Sequence, residues 1–406
     1  MNIFKRMNKI VQQGLNPVFG KASMARQMVR KPVSPLADRI LADALQLAEI
    51  PSPSRMEEGR ATFILERLSS LNIRPQVDEA GTIQVHLYSA TPGEEAPLLL
   101  FTYLGSKHWH SIESLSKVDD TIAAGACLAD ALGAASLLSC IEGISSGRFS
   151  PGRDLILFFL AQSIDEPEQE VFNGLILEMG EKPMAAIGLK GLSLGLVNTQ
   201  SYGSYRMRIQ ISREQEESVE PAGLNQVVDS VITLARNLGS ITWDSEHNTR
   251  CYIRRIEAGT GFENEPQEGL IDLELASQDD NLLNMAMKAV SATAANQKGD
   301  NLNTEINTLS FMPVGDISIN SDLISFVLNQ MKEQHIKITQ ESGSDPSAFL
   351  TKLGIPSLFL GLAQGRSGLN IDRLNIDSIE KGRLLLEAII EGSNKFAPKG
   401  GSDEKQ

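Results

Sequence analysis

The chain has 406 residues, of which 41% are hydrophobic and 22% charged. This is ordinary for a soluble globular protein and leaves room for two or three domains with large cores. The formal net charge of −14 argues against a nucleic-acid-binding protein. The three cysteines are too widely spaced for a disulfide framework or a zinc finger and indicate reduced thiols. No apolar run approaches the ~20 residues that span a bilayer.

The first 34 residues differ from the rest, because they carry seven Lys and Arg residues and no acid. Their apolar residues at Ile3, Phe4, Met7 and Ile10 would make a short basic amphipathic helix. Two interpretations stay open. The segment is a targeting or membrane-surface element of a cytoplasmic or organelle-interior protein, or it is a poorly ordered arm. The polar, Gly-rich tail over 397–406 is predicted to be disordered.

Between these ends, the first half of the chain alternates helical and buried-strand patterns. The pattern predicts a helix interrupted at Pro51–Ser54 within 36–70, and strands over 83–87, 98–101 and 155–160. The strand at 98–101 is followed by a polar loop and then by a small-residue helix with Asp130 near its start. This order places polar groups at the carboxyl edge of a sheet, where open α/β sheets build their sites.

From residue 204 onward the strands alternate apolar and polar residues, as half-exposed strands do. The predicted order is strand, helix, strand, strand, helix, strand, which is that of a ferredoxin-like unit. Its elements are predicted at 205–211, 225–238, 251–256, 270–276, 281–295 and 302–312. A buried-strand pattern resumes at 358–360. The chain is therefore predicted to form one discontinuous domain, 35–200 plus 310–396, with a second domain inserted at 201–309.

Several motifs, in order, carry a resemblance to a known family. They are the segment Gly125–Gly133 with Asp130, a turn at Thr260–Pro266, the turn Gly343–Phe349 and the strand start Leu353–Gly361. Over about 36–396 the chain resembles the zinc exopeptidase and deacylase family of tripeptidase T, acetylornithine deacetylase and carboxypeptidase G (M20 type). The resemblance implies a mixed-sheet, phosphorylase/hydrolase-like α/β domain with an inserted ferredoxin-like lid domain.

The family holds two zinc ions with about five His, Asp and Glu ligands, so each matching position can be checked. The resemblance aligns the family's ligands with Tyr103, Asp130, Ser163, Asn198 and Leu369. Only Asp130 is of a type that binds zinc well, because a neutral phenol or amide is a poor ligand and an aliphatic side chain is none. Asp130 itself has a second interpretation, as a helix N-cap or a buried hydrogen-bonded carboxylate.

The general base of the family is also displaced. In a register slipped by two or three residues Glu166 would be the base, with Pro167 in place of the neighbouring ligand. His108 and His110 follow the first ligand position and could serve as displaced ligands, or they are loop residues at the mouth of the site.

The substrate side of the family pattern is altered as well. Asn225 matches the lid's Asn, whereas Glu217 (or Glu216) stands where the lid has its His. Ala276 stands where the lid has its Arg. The loss of a cation and the gain of an acid weaken the expected hold on an anionic substrate terminus.

These positions predict a protein that has lost dinuclear zinc binding and hydrolysis and is retained as a binding, regulatory or structural homologue. Its partner would be a peptide, an amino-acid-like ligand or a protein, and no cofactor is expected. The alternative is a divergent zinc-dependent aminopeptidase or deacylase acting on peptides or N-acyl amino acids. That enzyme would use Asp130, His108, His110, Glu166 and Glu168.

The inserted domain is predicted to make a homodimer. Its helix at 225–238 has a wide apolar face, and the strand at 205–211 alternates in a way that would suit a sheet edge. The same apolar residues fit the domain's own core equally well.

Overall fold

The computed structural model describes the chain over these ranges: 34–53, 55–93, 95–106, 117–119, 121–161, 174, 179, 182–213, 225–259, 261, 265–296, 302–315, 317–343, 347–368 and 371–396. Within them the protein is mixed α/β, as predicted. The N-terminal arm and the C-terminal tail lie outside the described residues.

Eight α-helices lie in the described ranges, numbered in chain order. They are α1 (Pro35–Glu49), α2 (Glu58–Ser70), α3 (Leu128–Ser145), α4 (Gln226–Ser240), α5 (Asp280–Ala295), α6 (Ile317–Glu333), α7 (Ser347–Lys352) and α8 (Asp377–Glu391). A 3-10 turn, Gly392–Lys395, follows α8. Pro35 stands at the start of α1, where its missing N–H costs nothing, and the Ser34 hydroxyl accepts the Ala37 N–H.

The main sheet has six strands. In spatial order they are β1 (Gln76–Val77), β2 (Ile83–Leu87), β6 (Leu155–Leu160), β3 (Leu98–Tyr103), β7 (Ala185–Lys190) and β14 (Ser357–Gly361). The first two pairings are antiparallel and the other three are parallel. The carboxyl ends of β6, β3, β7 and β14 therefore meet at one edge.

Two smaller sheets flank this edge. One is a parallel pair of β8 (Leu196–Ser201) and β13 (Thr339–Gly343). The other is antiparallel, with the order β15 (Gly365–Arg366), β16 (Asp372–Asn375), β5 (Ile122–Gly125) and β4 (Lys117–Val118).

The central strands are apolar without interruption because both of their faces are covered. In β3, Leu98 and Leu100 enter a core built with α1, α3, α6 and α8, while Leu99 and Phe101 enter a second core built with α7. All four side chains are at most 2% exposed. Strand β6 alternates between the same two cores, since successive side chains point to opposite faces.

Helix α3 is the central helix of the larger core. Among the described helices it is the one long and apolar enough to cross a membrane, and 67% of it is buried inside the protein. Its Gly133 lies directly on the sheet: a Cβ there would be 2.6 Å from the Thr102 hydroxyl and 3.0 Å from the Leu189 carbonyl oxygen. The small residues of α3 thus allow a close helix–sheet approach.

A four-stranded antiparallel sheet forms between Gly203 and Met312. In spatial order its strands are β10 (Arg250–Ala258), β11 (Glu268–Ser277), β9 (Gly203–Arg213) and β12 (Leu302–Met312). With α4 and α5 this is the predicted strand–helix–strand–strand–helix–strand order. One face packs on the two helices through a core that includes Met207, Ile271, Val231 and Leu283, all at most 1% exposed.

The prediction that the strand at 205–211 is a sheet edge is wrong. Strand β9 is hydrogen-bonded on both sides, to β11 and to β12. The edges are β10 and β12, and each carries a β-bulge, at Ile253/Arg255 and at Thr308/Ser310. Sequence alternation identified the strand, but the spatial order of strands is set by long-range packing that alternation does not encode.

The apolar face of α4 serves the core of its own unit. Val227, Val231, Leu234 and Leu238 are at most 1% exposed, because they pack against the sheet. Ile232, which is 43% exposed, points away from it.

Candidate functional site: a charged cluster at the start of helix α3

The site suggested by the sequence lies where β3 ends and α3 begins. Tyr103 is the last residue of β3, and Asp130 lies in the first turn of α3. Parallel strands β3, β6 and β7 bring their carboxyl ends to this edge. The location is the one that open α/β sheets use for their sites.

Tyr103 is part of an aromatic cluster. Its ring stacks on Phe359 with centroids 6.1 Å apart and meets Phe101 edge-on at 6.4 Å. The Lys190 ammonium lies 4.2 Å above the Phe359 ring on the same sheet, a cation–π contact. Gly188 on β7 makes room for Phe359, since a Cβ there would be 2.3 Å from a ring carbon. The position that holds a histidine in the family therefore serves packing here.

Asp130 is held by neighbours of this chain. Its Oδ2 accepts a hydrogen bond from the Ser106 hydroxyl at 2.8 Å. The Arg60 guanidinium contributes a favourable charge interaction with Asp130. The half-buried carboxylate is therefore hydrogen-bonded by a side chain of this chain and interacts with the positive charge of Arg60.

Arg60 is the cation at the centre of this cluster and is 1% exposed. It reaches from α2 and donates from Nε to the Leu47 carbonyl and from Nη1 to the Leu104 carbonyl, both at 2.8 Å. Burial lowers the pKa of Arg60, and the charges of Asp130 and Cys127 oppose that shift. Since an arginine remains protonated at neutral pH, the cluster contains a fixed positive charge.

Cys127 precedes α3 in the left-handed backbone region, with φ of 58°. Glycine adopts this conformation without strain, whereas a residue with a Cβ rarely does. The side chain is 4% exposed. Burial raises the pKa of the thiol, although Ser106 and Arg60 act to lower it. Burial of this kind disfavours the thiolate, which is the nucleophilic form of a cysteine.

Asp372 joins the small antiparallel sheet to the same helix. It is 5% exposed, and its Oδ2 accepts the Ala129 N–H at 3.0 Å. Its Oδ1 accepts the Ser367 hydroxyl at 2.6 Å. A carboxylate at the first turn of a helix also interacts favourably with the helix dipole, so Asp372 fixes the start of α3 from the other side.

Two residues of this cluster that the structure describes bear on the question of a dinuclear zinc site. Tyr103 is engaged in ring packing, and Asp130 faces a guanidinium that would repel a divalent cation. No group of three His, Cys, Asp or Glu residues with metal-binding geometry occurs within the described ranges.

The other sequence-predicted residues are placed only in part. Asn198 lies in β8 opposite Glu341 of β13. Asn225 caps α4: its Oδ1 accepts the N–H groups of Val227 and Val228 at 2.9 and 3.4 Å. Its proposed substrate contact stays a prediction. Outside the described residues lie His108, His110, Ser163, Glu166, Glu168, Glu217 and Leu369.

Sequence reasoning missed four residues of the cluster: Arg60, Ser106, Cys127 and Asp372. One of them left a signal. Arg60, Ile64 and Leu68 are spaced four apart on α2 and are the buried residues of that helix, so Arg60 is a cation on the apolar stripe. A buried charge requires partners, and the sequence alone did not say which.

Comparisons with known proteins address the fold. No family model matches the chain, and none of the curated proteins matches it. Among solved structures, a tripeptidase from Staphylococcus aureus superposes with a TM-score of 0.69 at 15% identity, over 88% of this chain and 99% of that one. The aminopeptidase PepT from Bacillus cereus gives a TM-score of 0.66 at 14% identity, over 87% and 98%.

A third similar structure is the YXEP protein of Bacillus subtilis, described as a dinuclear metal-binding peptidase from the M20 family. It superposes with a TM-score of 0.60 at 14% identity, over 89% of this chain and 99% of that one. Likeness at this level of identity shows the fold alone. The chain has the fold of the M20-family peptidases.

Proposed function

We propose that this protein is an M20-fold homologue that does not bind the dinuclear zinc centre and does not hydrolyse peptides. The observation that carries the proposal is the environment of Asp130. The one retained carboxylate of the family pattern accepts the Ser106 hydroxyl and faces the buried Arg60. A carboxylate that is balanced in this way has no need of a metal ion for neutralisation.

The chemistry of the remaining positions supports the same proposal. A structural zinc site draws about 10–16 kcal/mol from its full ligand set, and one carboxylate supplies only a fraction of this. By contrast, the strands of the main sheet and the small-residue helix α3 are present in the described part of the chain. We infer that the fold is retained for binding a peptide, an amino-acid-like ligand or a protein partner.

Metal analysis of the whole chain, purified without chelator, tests the proposal. We expect substoichiometric zinc and no zinc-dependent release of amino acids from di- and tripeptides. Asp130→Asn is the matched variant, because it keeps the side-chain shape and removes the charge. Its zinc content should equal that of the wild-type chain.

The competing function is the divergent zinc hydrolase that uses Asp130 with His108, His110, Glu166 and Glu168. It is favoured by the peptidase names of the similar structures. Stoichiometric zinc in the wild-type chain, together with peptidase activity that Asp130→Asn abolishes, would establish it and overturn the proposal.

We also propose that the protein forms a homodimer, through edge strand β10 and not through β9. Edge strand β10 exposes Tyr252 and Ile256, at 37% and 53%, and a two-fold pairing of two such edges would cover them. The β-bulge at Ile253/Arg255 limits that pairing. Light scattering decides: a mass near 44.2 kDa that is independent of concentration would exclude the dimer.

A further inference from the structure

The hairpin of β15 and β16 places two arginines directly opposite each other. In the backbone register Arg366 pairs with Arg373, and Gly365 with Leu374. Residues directly opposite in an antiparallel pair have side chains on the same face of the sheet. Leu374 and Asp372 are buried on the other face, so both arginines project from the outer face, where they are exposed.

Like charges directly opposite each other destabilise a strand pair. No acidic side chain in the described part of the chain offsets the repulsion between these two arginines. The ion pairs found there engage neither Arg366 nor Arg373. This is notable in a chain with 51 acidic and 37 basic residues. Asp372, between them in sequence, is turned inward and is occupied by Ser367 and by the Ala129 N–H.

A cleft of about 450 Å³ lies at this hairpin, lined by Arg366, Ser367, Gly368, Ile371 and Arg373. Its volume is within the range of small-molecule sites, about 300–1,000 Å³. Ile371 is 37% exposed and adds an apolar surface beside the two cations. Gly368 allows the close approach of its backbone to Ile371, because a Cβ at this position would be 2.6 Å from the Ile371 carbonyl oxygen.

We propose that this cleft binds a small organic anion. The two guanidinium groups would hold its carboxylate or phosphate group, and Ile371 would contact its apolar part. Arginine presents N–H groups in a fixed fork that matches the oxygen atoms of both anions. The lining residues include none of the positions aligned with the family's zinc ligands, although one of those positions, Leu369, lies in the same loop outside the described residues.

Calorimetric titration of the whole chain at low ionic strength tests the proposal with defined probes. N-acetyl-L-leucine carries a carboxylate and an aliphatic side chain, and N-acetyl-L-leucinamide is its uncharged counterpart. Inorganic phosphate tests the other anion, and the protein is treated with EDTA and then dialysed free of it, which separates this site from metal binding without adding a competing carboxylate. We expect saturable binding of N-acetyl-L-leucine or phosphate, no binding of the amide, and affinity that weakens with added NaCl.

Variants assign the binding to the two arginines. Arg366→Gln and Arg373→Gln should each weaken the binding about tenfold, the loss of one charge-assisted contact, and the double variant should abolish it. Arg236→Gln, at an exposed arginine on α4, is the control and should bind as the wild-type chain does. Thermal unfolding checks that each variant is folded.

Three results would each overturn the proposal. Equal binding of N-acetyl-L-leucine and its amide, undiminished binding by the folded double variant, or no binding of either anion would each exclude an anion site here. None of these outcomes bears on the zinc content of the protein, so this proposal and the proposed function fail separately.

Discussion

Two charged clusters lie on opposite faces of one short strand, and they are organised in opposite ways. Asp372 of β16 points inward to the cluster of Asp130 and Arg60. There the two carboxylates accept hydrogen bonds from Ser106, Ser367 and the Ala129 N–H, and the Arg60 guanidinium donates to two backbone carbonyls. Arg373, the next residue, points outward and meets Arg366, a second cation. The first cluster contains both carboxylates and a guanidinium, so its charges offset one another. The second cluster contains two positive charges and no acidic partner among the described residues.

This difference indicates which of the two is suited to binding. A carboxylate that is already hydrogen-bonded within the chain contributes to the fold, because a ligand would first have to break those hydrogen bonds. An exposed pair of like charges gains free energy when an anion binds. We therefore expect the outward-facing arginines of the hairpin to bind an anion more readily than the cluster around Asp130 binds a ligand.

The largest expected effect comes from removing the buried cation. Arg60→Met keeps the volume of the side chain but leaves Asp130 without its opposite charge and the Leu47 and Leu104 carbonyls without a donor. We expect a loss of about 3–5 kcal/mol in the free energy of unfolding, measured by urea denaturation. Arg74→Met, at an exposed arginine, is the control and should change it by less than about 0.5 kcal/mol. Equal effects of the two substitutions would show that the Asp130 cluster is not closed by Arg60.

A smaller effect is expected from moving α3 away from the sheet. Gly133→Ala brings a methyl group to within 2.6 Å of the Thr102 hydroxyl and should cost about 1–3 kcal/mol through overpacking. Gly239→Ala in α4 is the matched control, because a Cβ there meets no atom within 4 Å. It should be neutral or stabilise by up to about 1 kcal/mol. Similar unfolding free energies for both variants would contradict the close approach that positions Asp130.

Removing a charge from the β15–β16 hairpin should stabilise the protein, unlike the two substitutions above. Arg366→Gln removes one of two like charges that lie directly opposite, so the ligand-free protein should gain about 0.2–1 kcal/mol. The gain should shrink as salt screens the repulsion, which unfolding at low and high NaCl measures. Arg236→Gln lowers the net charge by the same amount and should show no such gain. A destabilised Arg366→Gln would mean that Arg366 has an acidic partner.

The smallest effect concerns a half-buried pair of opposite charges on the four-stranded sheet between Gly203 and Met312. The Arg208 guanidinium donates two hydrogen bonds to the Asp272 carboxylate, from Nε to Oδ1 at 2.7 Å and from Nη2 to Oδ2 at 2.9 Å. These hydrogen bonds hold the pKa of Asp272 below its ordinary value, although partial burial opposes the shift. The folded-state pKa is lowered, so the stabilisation is present at neutral pH and is lost as the pH falls through that lowered pKa.

Carboxyl NMR titration measures this shift. In Arg208→Gln the pKa of Asp272 should rise toward its ordinary value. Asp119 is an internal control, because backbone hydrogen bonds from Thr121 and Ile122 lower its pKa, and it should titrate unchanged. An unaltered Asp272 would show that the pair is not formed in solution.

Much of the fold could be predicted from local pattern. The runs at 83–87, 155–160 and 302–312 are strands with the predicted limits. The predicted helix at 225–238 appears as Gln226–Ser240 and that at 281–295 as Asp280–Ala295. The candidate site was predictable only in its location, since Asp130 and Tyr103 do lie at the carboxyl edge of the sheet. What surrounds them was not predictable, because Arg60 and Asp372 come from distant parts of the chain.

The sequence by itself determined the elements of this protein and their order, because apolar periodicity and turn residues act over a few neighbouring positions. The tertiary structure alone decided which groups meet. It placed β9 in the middle of its sheet, brought Arg60 to Asp130 and set Arg366 opposite Arg373. Such pairings depend on strand order and register, which result from the packing of the whole chain and are not encoded in any local stretch.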